Sequence, residues 1–230
     1  MDLREYEALE RQRLERNLAY MEAGVKFIDI KMAYIDENVK IGKGTVIYPC
    51  TVIEGDVTIG ENCIVGQNTR IEDSEIGDGT NIQSSVITKS KVGNNTSIGP
   101  FAYLRPGSEI GNGCKVGDFV EIKNSKLGDG AKAAHLTYVG DSDVGERVNL
   151  GCGVVFVNYD GSRKYRSVVE DGAFIGCNSN LVSPVHIGKE AYIAAGSTVT
   201  KDVPDSALYV ARARGKSLEG WVEKRGILKK

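Results

Sequence analysis

The sequence predicts an all-β protein, a single-stranded parallel β-helix of hexapeptide repeats preceded by one α-helix. Three observations carry this reading. Aliphatic residues recur every six positions over most of the 230 residues. Gly often follows them directly, as in Ile41-Gly42, Ile59-Gly60, Ile76-Gly77 and Ile187-Gly188. The segment before the first repeat is charged and lacks the six-residue period. A period of six matches neither an α-helix nor a half-buried strand. It suits a triangular coil in which each flat side uses one hexapeptide.

Residues 1–30 read as a helix and connector. Residues 3–23 are rich in Glu, Arg and Leu, and Gly24 supplies a stop. Leu14, Leu18 and Met21 share one face of that helix, which is expected to pack on the prism or on a partner. Residues 31–205 form the repeat domain. Its heads run from Ile35 through Ile41, Ile47, Ile53, Ile59, Val65 and Ile71, then take a five-residue step to Ile76. They continue to Leu150, and after an interruption resume at Ile175, Leu181, Ile187, Ile193 and Val199. Each head points into the prism, and the following Gly permits a tight corner. About nine coils stacked at the interstrand spacing of about 4.8 Å make a prism on the order of 45 Å long. No single repeat buries its own apolar face, so stability is shared between neighbours. The pattern leaves the handedness open. The interruption contains NYDGSRKYRS, residues 158–167, a polar loop ejected from a regular solenoid and therefore a candidate functional element. Residues 206–230 are a C-terminal tail.

Composition narrows the function. Hydrophobic residues make up 41%, enough for a core, and the formal charge of -2 offers no global basic field for nucleic acid. The opening MDLREYEALERQRLERN has no apolar signal region, and no run approaches the roughly 18 apolar residues of a membrane span. Membrane association is not expected, and a cytoplasmic location is. The five cysteines are odd in number and form no CxxC, which favours reduced thiols.

The repeat itself is nearly silent on activity. Arg105 directly follows the head Leu104, and Lys123 directly follows Ile122. The 18 residues between them are three hexapeptides, one turn of the coil, so the two cations stack on one edge. Stacked cations repel unless an anion bridges them, so the pair reads as a phosphate site, with Lys164 on the ejected loop able to close over it. His135 lies two residues after the head Ala133, and its titration range suits a general base. Glu121 is expected to hold its ring. His135 and His186 are the two histidines of the chain, too few for a three-histidine zinc site, so no metal is expected.

Four stretches carry a family resemblance: GPFAYLRPGSEIG, KVGDFVEIKNSKLGDGAKAAHLTYVGDSDVG, NLGCGVVFVNYDG and IAAGSTVTKDV. From about residue 10 to 225 the chain resembles the C-terminal acetyltransferase half of the bacterial bifunctional glucosamine-1-phosphate N-acetyltransferase/N-acetylglucosamine-1-phosphate uridyltransferases. RQRLERNLAYMEAGV resembles the helix linking the two halves, and LEGWVEK the closing segment. The resemblance implies a left-handed coil and a homotrimer with active sites between prisms. It implies acetyl-CoA as co-substrate and glucosamine 1-phosphate as acceptor, without a metal for acetyl transfer. Arg105, Lys123, Tyr138, Asn149 and Lys164 would hold the sugar phosphate. His135 would deprotonate the attacking amine, supported by Glu121, and the backbone N–H of Cys152 would help bind the oxyanion. Asn158, Tyr159, Cys177, Ala195 and Arg212 would line the acetyl-CoA site. The family carries Ser at the position of Cys177 and a small residue, often Ala, at Cys152. A thiol is the weaker hydrogen-bond donor, so polarisation of the thioester by Cys177 is expected to be weaker. The residues before Ile35 are too few for a nucleotide pocket, so no uridylyl transfer by this chain is expected.

Two other readings remain open at this point. One is N-acetylation of another amino sugar or nucleotide sugar. The other is a weakly catalytic trimeric scaffold that binds sugar nucleotides.

Overall fold

The computed structural model describes residues 1–227 as a left-handed parallel β-helix with an N-terminal helix, α1, at Leu3–Glu22. The last three residues of the expected tail lie outside the described residues. Three parallel sheets of 11, 10 and 9 strands form the sides of the prism. The first side starts at Lys26–Phe27, the second at Ala33–Ile35 and the third at Lys40–Ile41. The chain visits them in that order on every turn, so the prism has about ten coils, slightly more than the repeat count suggested.

The heads account for the core. On the second side Leu104 pairs with Ile122, which pairs with Val139, and all three are fully buried. Stacking identical positions in register buries each branched side chain against the one above and below, the favourable packing for β-branched residues on a pleated surface. Backbone N–H groups donate to the coil above: Tyr103 N–H reaches Val120 O at 2.9 Å and Arg105 N–H reaches Ile122 O at 2.8 Å. Small hydroxyl residues fill the inner corners and meet buried carbonyls there, as Ser108 Oγ does with Arg105 O at 2.6 Å.

The corners explain the glycines and the five-residue steps. A Cβ on Gly60 would lie 2.2 Å from Asp78 Oδ1 and 2.7 Å from the Asp78 nitrogen, so the close approach of coils admits no side chain there. The Asp78 oxygen is needed where it is, because it accepts the Glu61 N–H at 2.7 Å. The motif repeats upward: Asp78 N–H donates to Asn94 Oδ1, Asn94 N–H to Asn112 Oδ1, and Asn112 N–H to Asp129 Oδ1, at 2.7, 2.8 and 2.7 Å. Where a step shortens to five residues, one residue turns the corner with positive φ, as Asp73, Lys89, Asn124 and Asp141 do at 44°, 45°, 46° and 50°.

Helix α1 begins with a capping box, Asp2 and Glu5 each accepting the other's backbone N–H. Of the apolar face expected to pack on the prism or on a partner, Leu14 is half-buried, and the contact with the prism is otherwise polar. Leu18 and Met21 are exposed, and the helix docks instead through Arg13, Arg16, Asn17 and Tyr20. The reason is the direction of the ladder. Carbonyls of each coil receive N–H groups from the coil below, and the first coil has none below it. Asn17 Nδ2 therefore donates to Ile30 O and Ala33 O at 3.0 and 3.1 Å, Tyr20 Oη to Val39 O at 2.5 Å, and Arg16 to Ile35 O. A polar helix face closes an open sheet end better than an apolar one.

At the other interruption, residues 158–166 leave the prism between Val155–Val157 on the second side and Ser167–Val169 on the third. The loop is internally bonded. Asp160 accepts the Ser162 and Arg163 N–H groups at 2.7 Å each and the Tyr165 hydroxyl at 2.9 Å. Arg166 ties its base to Asp143 and to the carbonyl of Asn124.

Candidate active site on the second side of the prism

The second side presents its outward residues between two corners, and the candidate residues divide between them. Its far edge, toward the third side, carries the cations. The pairing of Leu104 with Ile122 brings Arg105 and Lys123 to the same position on consecutive coils. Each has its own carboxylate, which corrects the picture of two bare cations. Arg105 Nη1 donates to Glu121 Oε1 at 2.7 Å, and this bond holds the guanidinium above its ordinary range. Lys123 Nζ lies 3.7 Å from Asp141 Oδ2. The ejected loop brings Lys164 to the same place: the neighbouring Lys123 ammonium pushes the Lys164 amine below its usual range, a sign of two cations in close approach.

Asp141 is the hub of this edge, and sequence reasoning missed it. It is buried, and it accepts from Asn124 Nδ2 at 2.6 Å and from Asn158 Nδ2 at 2.5 Å. Burial pushes its carboxyl up, but the two amides and the Lys123 charge outweigh that and leave it below the usual range. Asn158 thus stands at the cation edge, and its Nδ2 also lies 3.5 Å from the Tyr138 hydroxyl. Tyr159 is exposed on the loop.

Glu121 and Tyr138 lie between the corners, paired in register with Tyr103 below them on the outer face. The other edge, toward the first side, is a vertical row. Asp118 pairs with His135, and the pairing of Leu150 with Ile175 carries Cys152 and Cys177 to equivalent corner positions on the next two coils. Ala195 follows one coil higher, with Arg212 Nη1 donating to its carbonyl at 2.7 Å. Cys152 is half-buried and Cys177 exposed.

Glu121 does not reach His135. Its carboxylate is engaged by Arg105, and Asp118 Oδ1 meets His135 Nδ1 at 2.5 Å instead. The cause is register: Asp118 precedes His135 by 17 residues, one coil containing a five-residue step, whereas Glu121 stands on the adjoining side beside Tyr138. Counting heads around the coil would have identified Asp118 from sequence. The imidazole contact holds the Asp118 carboxyl below its usual range.

Asn149 stands apart. It faces outward from the first side, in register with Lys132 and Phe174. One prism therefore does not bring it to the cation edge. Surface grooves run along the third side, beneath α1 and in the tail around Trp221, while His135 sits on an open corner.

Comparison with known proteins bears on the family and the fold. Residues 30–108 match the family model described as GMPPB C-terminal domain, and residues 166–201 the model of the bacterial transferase hexapeptide. The chain is 54% identical over 225 residues to the bifunctional protein GlmU of Clostridioides difficile (strain 630), covering 98% of this chain and 49% of that protein. It is likewise 54% identical over 228 residues to bifunctional GlmU of Alkaliphilus oremlandii (strain OhILAs), covering 99% and 50%. The chain thus spans about half the length of the curated relatives it matches. Among solved structures, an Arabidopsis UDP-N-acetylglucosamine acyltransferase superposes with a TM-score of 0.57 at 22% identity, over 86% of this chain and 76% of that one, a likeness of fold. The chain belongs to the GlmU family and corresponds to its hexapeptide-repeat, C-terminal half.

Proposed function

We propose that this chain transfers the acetyl group of acetyl-CoA to the amine of glucosamine 1-phosphate, giving N-acetylglucosamine 1-phosphate and free CoA. The observation that carries this reading is one outer face bearing a carboxylate-bonded imidazole at one corner and three converging cations at the other. The cations Arg105, Lys123 and Lys164 take the phosphate, with charge-assisted hydrogen bonds in place of the lysine–lysine repulsion. Tyr138 and Glu121 contact the sugar between them. The amine attacks the thioester carbonyl while His135 accepts its proton. The tetrahedral oxyanion takes the Cys152 N–H, and collapse expels the CoA sulfur, which leaves with the proton from His135. Cys152, Cys177, Ala195, Arg212 and Tyr159 serve the acetyl-CoA side, Arg212 toward a phosphate of the nucleotide. Asn158, its amide anchored on Asp141, joins them at the acetyl-CoA side.

The placement of Asn149 supports a homotrimer. Flat sides of a prism face away from each other, so a substrate touching Asn149 and Lys123 together lies between two chains. The open corner at His135 agrees, since a second prism converts a convex edge into a cleft.

The test is release of CoA thiol from acetyl-CoA. Wild type is expected to release it with glucosamine 1-phosphate and far more slowly without acceptor or with unphosphorylated glucosamine. His135→Ala should lower kcat by roughly 10²-fold or more with the fold intact. Near-normal turnover of that variant sinks the assignment, and equal use of unphosphorylated glucosamine sinks the clamp. Preference for a different amino sugar in the same assay would move the acceptor while keeping the acyl transfer.

A further inference from the structure

We propose that Asp118 is the positioning residue for His135: its carboxylate holds the ring in the tautomer protonated at Nδ1 and leaves the Nε2 lone pair free to take the proton of the acceptor amine. The inference rests on the acetyl-transfer reading for its catalytic meaning, but its structural half stands on geometry alone. Asp118 Oδ1 and His135 Nδ1 are 2.5 Å apart, and an ionised carboxylate only accepts hydrogen bonds. The ring nitrogen facing it therefore carries the hydrogen. In a neutral imidazole the other nitrogen is then the base.

The surroundings fix the pair. Asp118 and His135 are register partners on adjacent coils of the first side. The Leu136 N–H donates to Asp118 O at 2.9 Å, closing the corner directly after His135. A Cβ on Gly117 would fall 1.9 Å from the Ala134 carbonyl oxygen, so the two coils touch beside the pair. Phe119 stacks on Phe101 with ring centroids 5.5 Å apart, bracing the backbone on the other flank. Asp118 thus meets the ring from a rigid ledge, and no long flexible arm is involved. Glu121, the other carboxylate near this face, is occupied by Arg105 at 2.7 Å.

Charge completes the case. When His135 takes a proton during amine attack, it becomes an imidazolium beside a full carboxylate charge, so the partner stabilises the state that forms in the reaction. The groups facing the pair are Lys115, whose charge acts on Asp118 from the same strand, and Cys152, at the corner position of the coil above His135. Neither competes for Nδ1 in the structure.

The experiment has two independent arms. In the first, ¹⁵N NMR of wild-type protein labelled in its histidine rings reads the tautomer of His135, assigned by its loss in His135→Ala. The expected result for the neutral ring is protonation at Nδ1 and an unprotonated Nε2. Protonation at Nε2 overturns the proposal whether or not the protein is an enzyme. In the second arm Asp118→Asn and Asp118→Ala are assayed for acetyl transfer, with folding checked by circular dichroism. Both should lose kcat by about 10-fold or more with KM for each substrate within about two-fold. The ring ¹⁵N signals of folded Asp118→Ala should show the Nε2-protonated tautomer gaining, because the Nδ1 hydrogen has lost its carboxylate acceptor. A purely structural role predicts loss of folded protein with no change of tautomer in what remains folded. Wild-type kcat and an unchanged tautomer in folded Asp118→Ala overturn the proposal. If wild type transfers no acetyl group, the functional reading fails, while the ring tautomer still decides Asp118.

Discussion

Arg105 and Glu121 form a pair that a bound phosphate would have to reshape. Arg105 Nη1 bonds Glu121 at 2.7 Å in the present geometry, and a sugar phosphate offers it a second anion. Arg105→Ala is expected to weaken glucosamine 1-phosphate by roughly 10-fold, the size of one charge-assisted hydrogen bond, and to leave the KM for acetyl-CoA unchanged. Steady-state kinetics with each substrate varied in turn checks this. Loss of both affinities together would place Arg105 elsewhere in the mechanism. The cysteines make a second prediction at this scale. Burial pushes the Cys63 and Cys114 thiols up, whereas Cys50 and Cys177 are exposed and Cys152 is half-buried. A maleimide should label Cys50 and Cys177 quickly, Cys152 more slowly, and Cys63 and Cys114 only on unfolding, as read by peptide mass spectrometry. Acetyl-CoA should protect Cys177 and Cys152 but not Cys50. Equal labelling with and without the co-substrate would remove these two from the proposed acyl-CoA edge.

Helix α1 shows how an element is used to end a solenoid. Its buried Asn17 feeds two carbonyls of the first coil that no lower coil can serve. Asn17→Ala leaves Ile30 O without its side-chain donor and Ala33 O with Arg13 alone, and should destabilise the helix–coil junction by about 1–3 kcal/mol. Hydrogen exchange should quicken at α1 and at the first coil while the coils around Ile122 stay protected, because neighbouring repeats share stability only locally. Uniform acceleration along the prism would show that α1 nucleates the whole domain instead. Deep in the solenoid the balance is apolar. Ile122 is fully buried between Leu104 and Val139, and Ile122→Ala should cost about 2–5 kcal/mol.

At the scale of the whole molecule, assembly and pH are the two handles. A homotrimer predicts a light-scattering mass of about three times the 24.8 kDa chain, and a fully active monomer would refute sites shared between prisms. Several carboxylates of the prism, Asp118, Asp129, Asp141 and Asp143, sit below their ordinary range because hydrogen-bond donors or cations face them. A depressed folded-state value means that the stabilisation is fully present above the unfolded value of about 3.9 and is lost as pH falls through the folded values. The thermal midpoint should therefore vary little in response to these groups from neutral pH down to about 5 and drop steeply below about 4. A midpoint insensitive to acid would show that these carboxylates gain nothing on folding.

The repeat, its heads, the ejected loop and the stacking of Arg105 on Lys123 were all legible in the sequence, because a solenoid converts sequence separation directly into position. A residue one turn away is a neighbour, and the inward face is set by one position in six. The partners of the site were less legible. His135 meets the carboxylate one full turn away, Asp118, which lies 17 residues earlier across a coil shortened by a five-residue step, whereas Glu121 falls short of a full turn and stands on the adjoining side, engaged by Arg105. Asp141 gathering Lys123, Asn124 and Asn158 needed the loop to fold back on the prism, and no period encodes that return. The polar docking face of α1 was hidden for the same reason. Helical spacing reveals which residues share a face, but only the open carbonyls of the first coil decide that Asn17 and Tyr20 bind while Leu18 and Met21 stay exposed. Sequence determined what repeats, since burial alone dictates it. Tertiary structure decided what pairs, since hydrogen bonds depend on the direction and register of the coil.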